Sequence, residues 1–287
     1  MIGILPNPHK PEALEVARQL ARWCQTTGVE GALPRDGAVA VGHPEWGRDL
    51  VEWSDVRVAV VLGGDGTFLQ AAKECAPLGF PLVGVNLGRV GFLTEVEVSS
   101  LYRAVSDVLQ GQMREERRLM LEARVERGGN VLWRSLALNE VVMAKGPFAR
   151  MAHIVVEAGD QRVATYRGDG LIVSTPTGST AYALSAGGPI LSPELDVMLI
   201  TPICPHSLTI RPLVLGAHER IRVMLASPHV ETLLTVDGQR GVRIRPGDDV
   251  MVERAQVYTR LLRPRDRDFY GLLRSKLAGE EGREEAD

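Results

Sequence analysis

Cysteine is scarce: Cys24, Cys75 and Cys204 are the only three in 287 residues, and none sits in a CxxC pair. That odd, scattered set excludes a disulfide framework and a cysteine zinc site, and it points to a reducing cytosol and a cytoplasmic protein. No apolar run is longer than a strand, so no segment is suited to cross a membrane as a helix. The N-terminus, MIGILPNPHK, lacks the basic region and the cleavage site of a signal peptide. A net charge of -3 gives no pull toward nucleic acid or a membrane surface. Lysine occurs only at Lys10, Lys73, Lys145 and Lys276, and arginine supplies the other basic residues. A GC-rich genome and a warm habitat both produce that bias. Two phosphate motifs are also missing. No Gly-Lys dipeptide exists for a GxxxxGK[ST] loop, and Leu69 stands where a GxGxxG beginning near Gly64 needs its last glycine.

What the chain does have is AVVLGGDGT at residues 59–67. Val58, Val60, Val61 and Leu62 form a short apolar run ended by glycine, as a buried strand does. Gly63, Gly64 and Gly66 clear side chains from the turn, so a ligand can come close to the backbone. Thr67 is placed to cap the helix that follows, TFLQAAKECA. A strand, a glycine turn and a helix N-terminus make an anion site suited to phosphate. Asp65 is out of place there unless it holds a metal ion or accepts a proton. A tight turn with an ordinary turn aspartate is the plainer alternative.

The rest divides in two. Residues 1–5 read as a strand, 12–26 as a helix closed by Gly28, Val39–Val41 as a short strand, 81–85 as a strand and 99–111 as a helix. This is the βαβ rhythm of a parallel sheet. After about residue 115 the pattern is strand-rich, with two long strands around a Gly128–Asn130 hairpin and many shorter runs behind them. The fold expected is an α/β N-terminal domain with a parallel sheet plus a β-rich, β-sandwich-like C-terminal domain, α+β overall. Its expected limits are 1–98, completed by a C-terminal helix near 268–280, and 99–267. The charged residues 280–287 read as a disordered tail.

A second polar loop, GDGLIVSTPTGSTAY, spans residues 168–182. Thr175, Thr177, Ser179 and Thr180 offer hydroxyls, Gly178 permits unusual backbone, and Tyr182 offers a flat face with a polar tip. A helix beginning near Thr180 would let the loop wrap a ribose and its phosphates. An ordinary Ser/Thr-rich connection is the alternative.

Together these segments resemble the NAD kinases. GGDGT at 63–67, NLGRVGFL at 86–93, the pair Asn139–Glu140, the run 168–182 and VDGQ at 236–239 follow the family's order and rough spacing across most of the chain. GGDGT alone is shared with lipid kinases and is similar to a phosphofructokinase motif; the 168–182 run is far more specific. The resemblance implies transfer of phosphate from ATP to the 2′-hydroxyl of the adenosine ribose of NAD, giving NADP. It implies Asp65 as catalytic aspartate, acting as general base or metal-linked organiser, with Gly66 against the dinucleotide. Phe92 resembles a phenylalanine beside an adenine, with a core phenylalanine as the other reading. Asn139 and Glu140 resemble adenine and ribose contacts, and Thr180, Ala181, Tyr182 and Ser185 match positions lining the NAD site. Arg150 and Arg167 stand where the family places a basic residue, or are solvated arginines. Asp169 resembles an aspartate serving a neighbouring subunit's site, or else serves its own. Cys204 lies in a stretch that contributes backbone to the site, with His206 structural. Gln239 resembles a ligand contact or is a polar turn residue. A homodimer or homotetramer is implied, with no nucleic-acid or membrane partner. A divalent cation, Mg²⁺, is expected to arrive with ATP, since no metal cage is visible. Two rivals remain: a lipid or sugar kinase of the GGDGT type, which would need an apolar groove, and a non-catalytic nucleotide-binding regulator, which could dispense with Asp65.

Overall fold

The computed structural model describes residues 1–88, 90–147, 150–207, 209–227 and 230–277. The tail expected at 280–287 lies outside the described residues. The chain forms two compact units, Met1–Arg117 with the residues from Thr259 onward, and Arg118–Tyr258.

The first unit alternates strands and helices: β1 (Ile2–Pro6), α1 (Pro11–Thr27), β2 (Gly31–Ala32), α2 (Arg35–Val41), β3 (Ala59–Gly63), α3 (Asp65–Cys75), β4 (Pro81–Asn86), β5 (Val96–Glu97) and α4 (Leu101–Leu109). Helix α1 starts with proline, where a missing N–H costs nothing. It buries Ala13, Val16, Ala17, Leu20, Ala21 and Cys24 along one stripe, and Gly28 closes it at φ 72°. Strands β2, β1, β3 and β4 lie side by side, all parallel. Val39–Val41 is not a strand but the last turn of α2, which Gly42 closes at φ 87°. Three apolar residues cannot distinguish the two periods, and Ala38 and Val41 bury as a helical pair. Helix α4 joins the same core as α1, β1 and β3 through Leu101, Ala104, Val105 and Val108. The unit therefore continues to residue 117 rather than stopping at 98.

The chain enters the second unit along β6 (Arg114–Arg127) and turns at Gly128 and Gly129, with φ of 56° and 81°, into β7 (Asn130–Ala137). Then come β8 (Glu140–Lys145), β9 (Ala152–Ala158), β10 (Gln161–Gly168), β11 (Gly170–Ser174), the one-turn helix α5 (Tyr182–Ser185), β12 (Val197–Ile203), β13 (Leu213–Gly216), β14 (Ile221–Leu225), β15 (Thr232–Val236), β16 (Arg240–Ile244) and β17 (Asp249–Arg263). The expected pair of long strands proves to be three, because the chain breaks at Leu138–Asn139 before β8. Strands β13 and β16 carry no clear signal in the sequence, and the last 15 strand residues form the single long strand β17.

In this unit β10, β9, β14 and β17 form one antiparallel layer. The second layer is antiparallel in the order β13, β12, β11, β8, β15, β16. Val156, Val223, Val250 and Val252 of the first layer share one core with Val141, Met143, Leu171, Val173, Ile200 and Leu234 of the second. Two sheets over one apolar core make a sandwich. The second layer also buries its other face: Val142, Ile172 and Leu199 pack under Ala183 and Leu191. Burial on both faces explains why VVMA and LIVS are continuous apolar runs rather than alternating ones. The end of β17 returns to the first unit, pairing in parallel with β4 at Arg260–Pro81 and Leu261–Leu82, and α6 (Phe269–Leu277) follows.

Candidate active site

The glycine motif of the first unit leaves the carboxyl end of β3, where ligands bind in parallel sheets. Its glycines serve two purposes. A Cβ on Gly63 would run into Thr67. Gly64 and Gly66 have nothing within 4 Å of an added Cβ, and neither has positive φ. Packing and strain do not require glycine at those two positions, and the missing side chains leave space beside the turn. Thr67 is not the helix cap: α3 begins two residues earlier at Asp65, with Gly64 as N-cap. The Thr67 hydroxyl instead accepts a hydrogen bond from Asn7 Nδ2 at 2.8 Å.

Asp65 is fully engaged. Its Oδ2 accepts the Phe92 amide at 2.9 Å. Its Oδ1 accepts the Leu93 amide at 3.2 Å, the Thr94 amide at 3.1 Å and the Thr94 hydroxyl at 2.9 Å. Charge-assisted bonds of this kind are about twice as strong as neutral ones. Gly91 has no room for a Cβ against the same carboxylate. Arg263, itself buried, ion-pairs with Glu95, the residue after Thr94. The VGFLT segment is thus held through its last three residues and by the ion pair just after it, with Phe92 half-buried within it.

In the second unit Glu140 opens β8, with Asn139 just before it. Glu140 is buried and stands opposite Ser174 of β11. Burial, and then the negative charge of Asp237, push its carboxyl up to about 8; the Tyr182 amide, which donates to it, pulls the other way. Glu140 Oε2 and the Ser174 hydroxyl are buried without a hydrogen-bond partner. Such atoms are costly to leave unmade and mark a place for a polar ligand. Above them lies the loop 175–185. The Thr175 hydroxyl donates to Leu138 O at 2.6 Å and accepts from the Gly178 amide at 3.0 Å. A Cβ on Gly178 would collide with the Asn139 backbone, so glycine is needed for the loop to lie on the pair. Thr177 accepts a bond from buried Arg118 at 3.4 Å. The helix expected near Thr180 is a 3-10 turn over Thr177–Thr180 followed by α5. Gln239 is exposed in the turn after β15, whose end pairs with the start of β8.

The structure thus gathers Asn139, Glu140, Thr177, Thr180, Ala181, Tyr182, Ser185 and Gln239 at one end of this sheet. Asp169 and Cys204 lie at its other end, beside the close of β8, and Arg167 stands just before them near the end of β10 in the other layer. Asp169 pairs with Lys145 at 3.5 Å and donates its amide to Ile203 O at 2.9 Å. Cys204 follows with φ 44° and is exposed, and His206 donates its amide to Arg167 O. Arg150 is exposed two residues before Ala152, which pairs with Gly168. From Glu140 to Lys145 is five strand steps, about 16 Å. Among the described residues, no group of three or more His, Cys, Asp or Glu is arranged to hold a metal ion. Nor, among the described residues, is any helix long and apolar enough to cross a membrane.

Sequence reading missed Asn7, Thr94, Ser174 and Asp237 in these clusters. Ser174 lies inside the 168–182 run and Asp237 in the Asp-Gly turn of VDGQ, while Asn7 and Thr94 carry no signal.

Comparison with known proteins gives a consistent result. Residues 2–113 match the model of the ATP-NAD kinase N-terminal domain, and residues 138–263 that of the ATP-NAD kinase C-terminal domain. The chain is 48% identical over 279 residues to the NAD kinase of Heliobacterium modesticaldum, covering 96% of this chain and 98% of that one. It is 46% identical over 276 residues to the NAD kinase of Moorella thermoacetica, covering 96% and 88%. Among solved structures, an Archaeoglobus fulgidus NAD kinase in complex with ATP superposes with TM-score 0.73 at 25% identity, over 96% of this chain and 99% of that one. Yeast NADH kinase complexed with NADH shares the fold, with TM-score 0.85 at 24% identity over 97% and 87%.

Proposed function

We propose that this chain, which belongs to the ATP-NAD kinase family, phosphorylates the 2′-hydroxyl of the adenosine ribose of NAD with ATP, giving NADP and ADP. The observation that carries the reading is the buried pair of unpartnered polar atoms, Glu140 Oε2 and Ser174 Oγ, beside Asn139 and under a loop of hydroxyls. Asparagine can pair with an adenine edge, and a carboxylate accepts ribose hydroxyl protons. Thr177, Thr180, Ala181, Tyr182, Ser185 and Gln239 complete that cradle. A lipid acceptor would need an apolar groove in its place.

The space left by the missing side chains of Gly64 and Gly66, at the N-terminus of α3, supports phosphate binding. In the transfer the 2′-oxygen forms a bond to the γ-phosphorus, the bond to the bridging oxygen of ADP breaks, and the hydroxyl proton goes to Asp65. Asp65 must give up part of its hold on residues 92–94 to take that proton. Positioning and charge neutralisation carry most of the rate. A divalent cation, Mg²⁺ in our reading, would be carried by ATP and would supply charge neutralisation of the triphosphate; Asp65 is the residue of the motif that could help hold it. Arg150, Arg167, Asp169 and Cys204 serve the site of a neighbouring subunit in a homodimer or homotetramer. Their distance from Glu140 along β8 supports this. The protein works in the cytoplasm without nucleic-acid or membrane partners.

The test is incubation of the pure protein with NAD, ATP and Mg²⁺, followed by a cycling assay for NADP. NADP formation is expected. ATP consumption with a sugar or diacylglycerol but not with NAD would sink the reading.

A further inference from the structure

The hairpin between β15 and β16 turns through Asp237 and Gly238, at φ 49° and 64°. Asp-Gly is a natural pair for such a turn, and so is Asn-Gly, which carries no charge. This turn keeps a carboxylate that is only 6% exposed. A buried anion is costly unless its oxygens are satisfied. Here they are satisfied by consecutive amides far away in the chain. Oδ1 accepts from Asn139 at 2.9 Å and Glu140 at 3.0 Å, and Oδ2 accepts from Leu138 at 3.0 Å. The Asp237 amide returns a bond to Glu140 O at 3.0 Å. Only a carboxylate offers acceptors to three N–H groups without presenting a donor of its own.

We propose that Asp237 is a positioning residue for NAD: it clamps the backbone of residues 138–140, so that the Asn139 and Glu140 side chains are presented to the dinucleotide. The inference rests on the assignment of Asn139 and Glu140 as NAD contacts. It extends that assignment by a residue that touches NAD only through them. A second effect follows from the same contact. Asp237 is the charged group acting on the Glu140 carboxyl, opposed by the Tyr182 amide, with the neutral Ser174 hydroxyl across the sheet. Burial first, and then this charge, hold a proton on Glu140 to higher pH, so NAD affinity, which uses the carboxylate, rises only as pH climbs toward about 8.

The test uses Asp237→Asn and Asp237→Gly. Both residues tolerate positive φ, so the turn survives while the carboxylate is lost. NAD binding is measured by calorimetry from pH 6 to pH 9, with amide hydrogen exchange on the same samples. Both variants are expected to weaken NAD about tenfold or more. The loss falls on KM rather than kcat, and exchange quickens at 138–140 alone. In Asp237→Asn the rise of affinity moves to lower pH, and combination with Glu140→Gln gives less than the product of the two losses. Unchanged affinity in both Asp237 variants, while Asn139→Ala binds weakly, overturns the positioning role alone. Unchanged affinity in Asn139→Ala as well overturns the assignment beneath it. Faster exchange across the whole second unit makes Asp237 a purely structural residue and overturns the proposal too.

Discussion

Each unit contains an aspartate gripped by three consecutive backbone amides, and the two grips differ in kind. Asp65 takes the amides of residues 92–94 from the first residue of a helix, with its side chain partly open to solvent. Asp237 takes those of 138–140 from a left-handed turn, buried beside a second carboxyl group. The first can change partners: its backbone is relaxed and the space beside Gly64 and Gly66 is open. Leaving would strand buried amides in either unit, at about 1–3 kcal/mol each, but Asp237 is itself enclosed, at 6% exposure, and has no open space to move into. In our proposal the same hydrogen-bond pattern serves one aspartate for chemistry and the other for holding a binding site in shape.

The largest expected effect tests whether the chemical aspartate works with the far end of the β8 sheet. Asp65→Asn and Asp169→Ala should each be nearly inactive. Mixed and allowed to exchange subunits, they should recover about one quarter of wild-type activity if the two residues meet across an interface. Hybrids that form but stay dead would show that Asp169 serves its own chain.

Next come the residues held by Asp237. Asn139→Ala and Glu140→Ala should each weaken NAD by about 1–3 kcal/mol in calorimetry while melting close to wild type. A large loss of melting temperature with intact affinity would make the pair structural and erase the contrast between the units.

Thr94→Val sharpens the other side. It removes one hydroxyl bond to Asp65 while keeping the buried volume. A loss of about 1 kcal/mol of transition-state stabilisation, read in kcat, is expected, with Thr94→Ser restoring it. Equal activity in Val and Ser variants would mean that the hydroxyl does not steer Asp65.

The smallest effect concerns stability. Glu140 has its carboxyl raised from 4.5 to about 8, so the folded state holds the proton more tightly than the unfolded chain. This contribution is complete below pH 4.5 and is lost as pH rises toward about 8. Glu140→Gln should therefore melt several degrees above wild type at pH 9 and close to it at pH 5. The same gain at both pH values would contradict the titration.

Much of both regions was legible in the sequence, and the omissions have a common cause. GGDGT announced its turn because glycine, a strand and a helix start are local features. The 168–182 run announced itself in the same way. Asp237 did not, because its meaning lies in contacts with Leu138, Asn139 and Glu140, almost a hundred residues earlier. Thr94 was hidden likewise, as an unremarkable threonine after GFL. The division of the second-unit residues was also invisible. Asp169 and Thr177 are close in sequence, but β11 runs between them and carries them to opposite ends of the sheet. Only pairing register reveals that.

The central claim, that Asp65 performs chemistry while the second unit holds NAD, is tested most directly by Asp65→Asn in single-turnover NADP formation, with NAD affinity measured on the same sample. The account predicts a rate lower by orders of magnitude at unchanged NAD affinity. Near-normal NADP formation would contradict it.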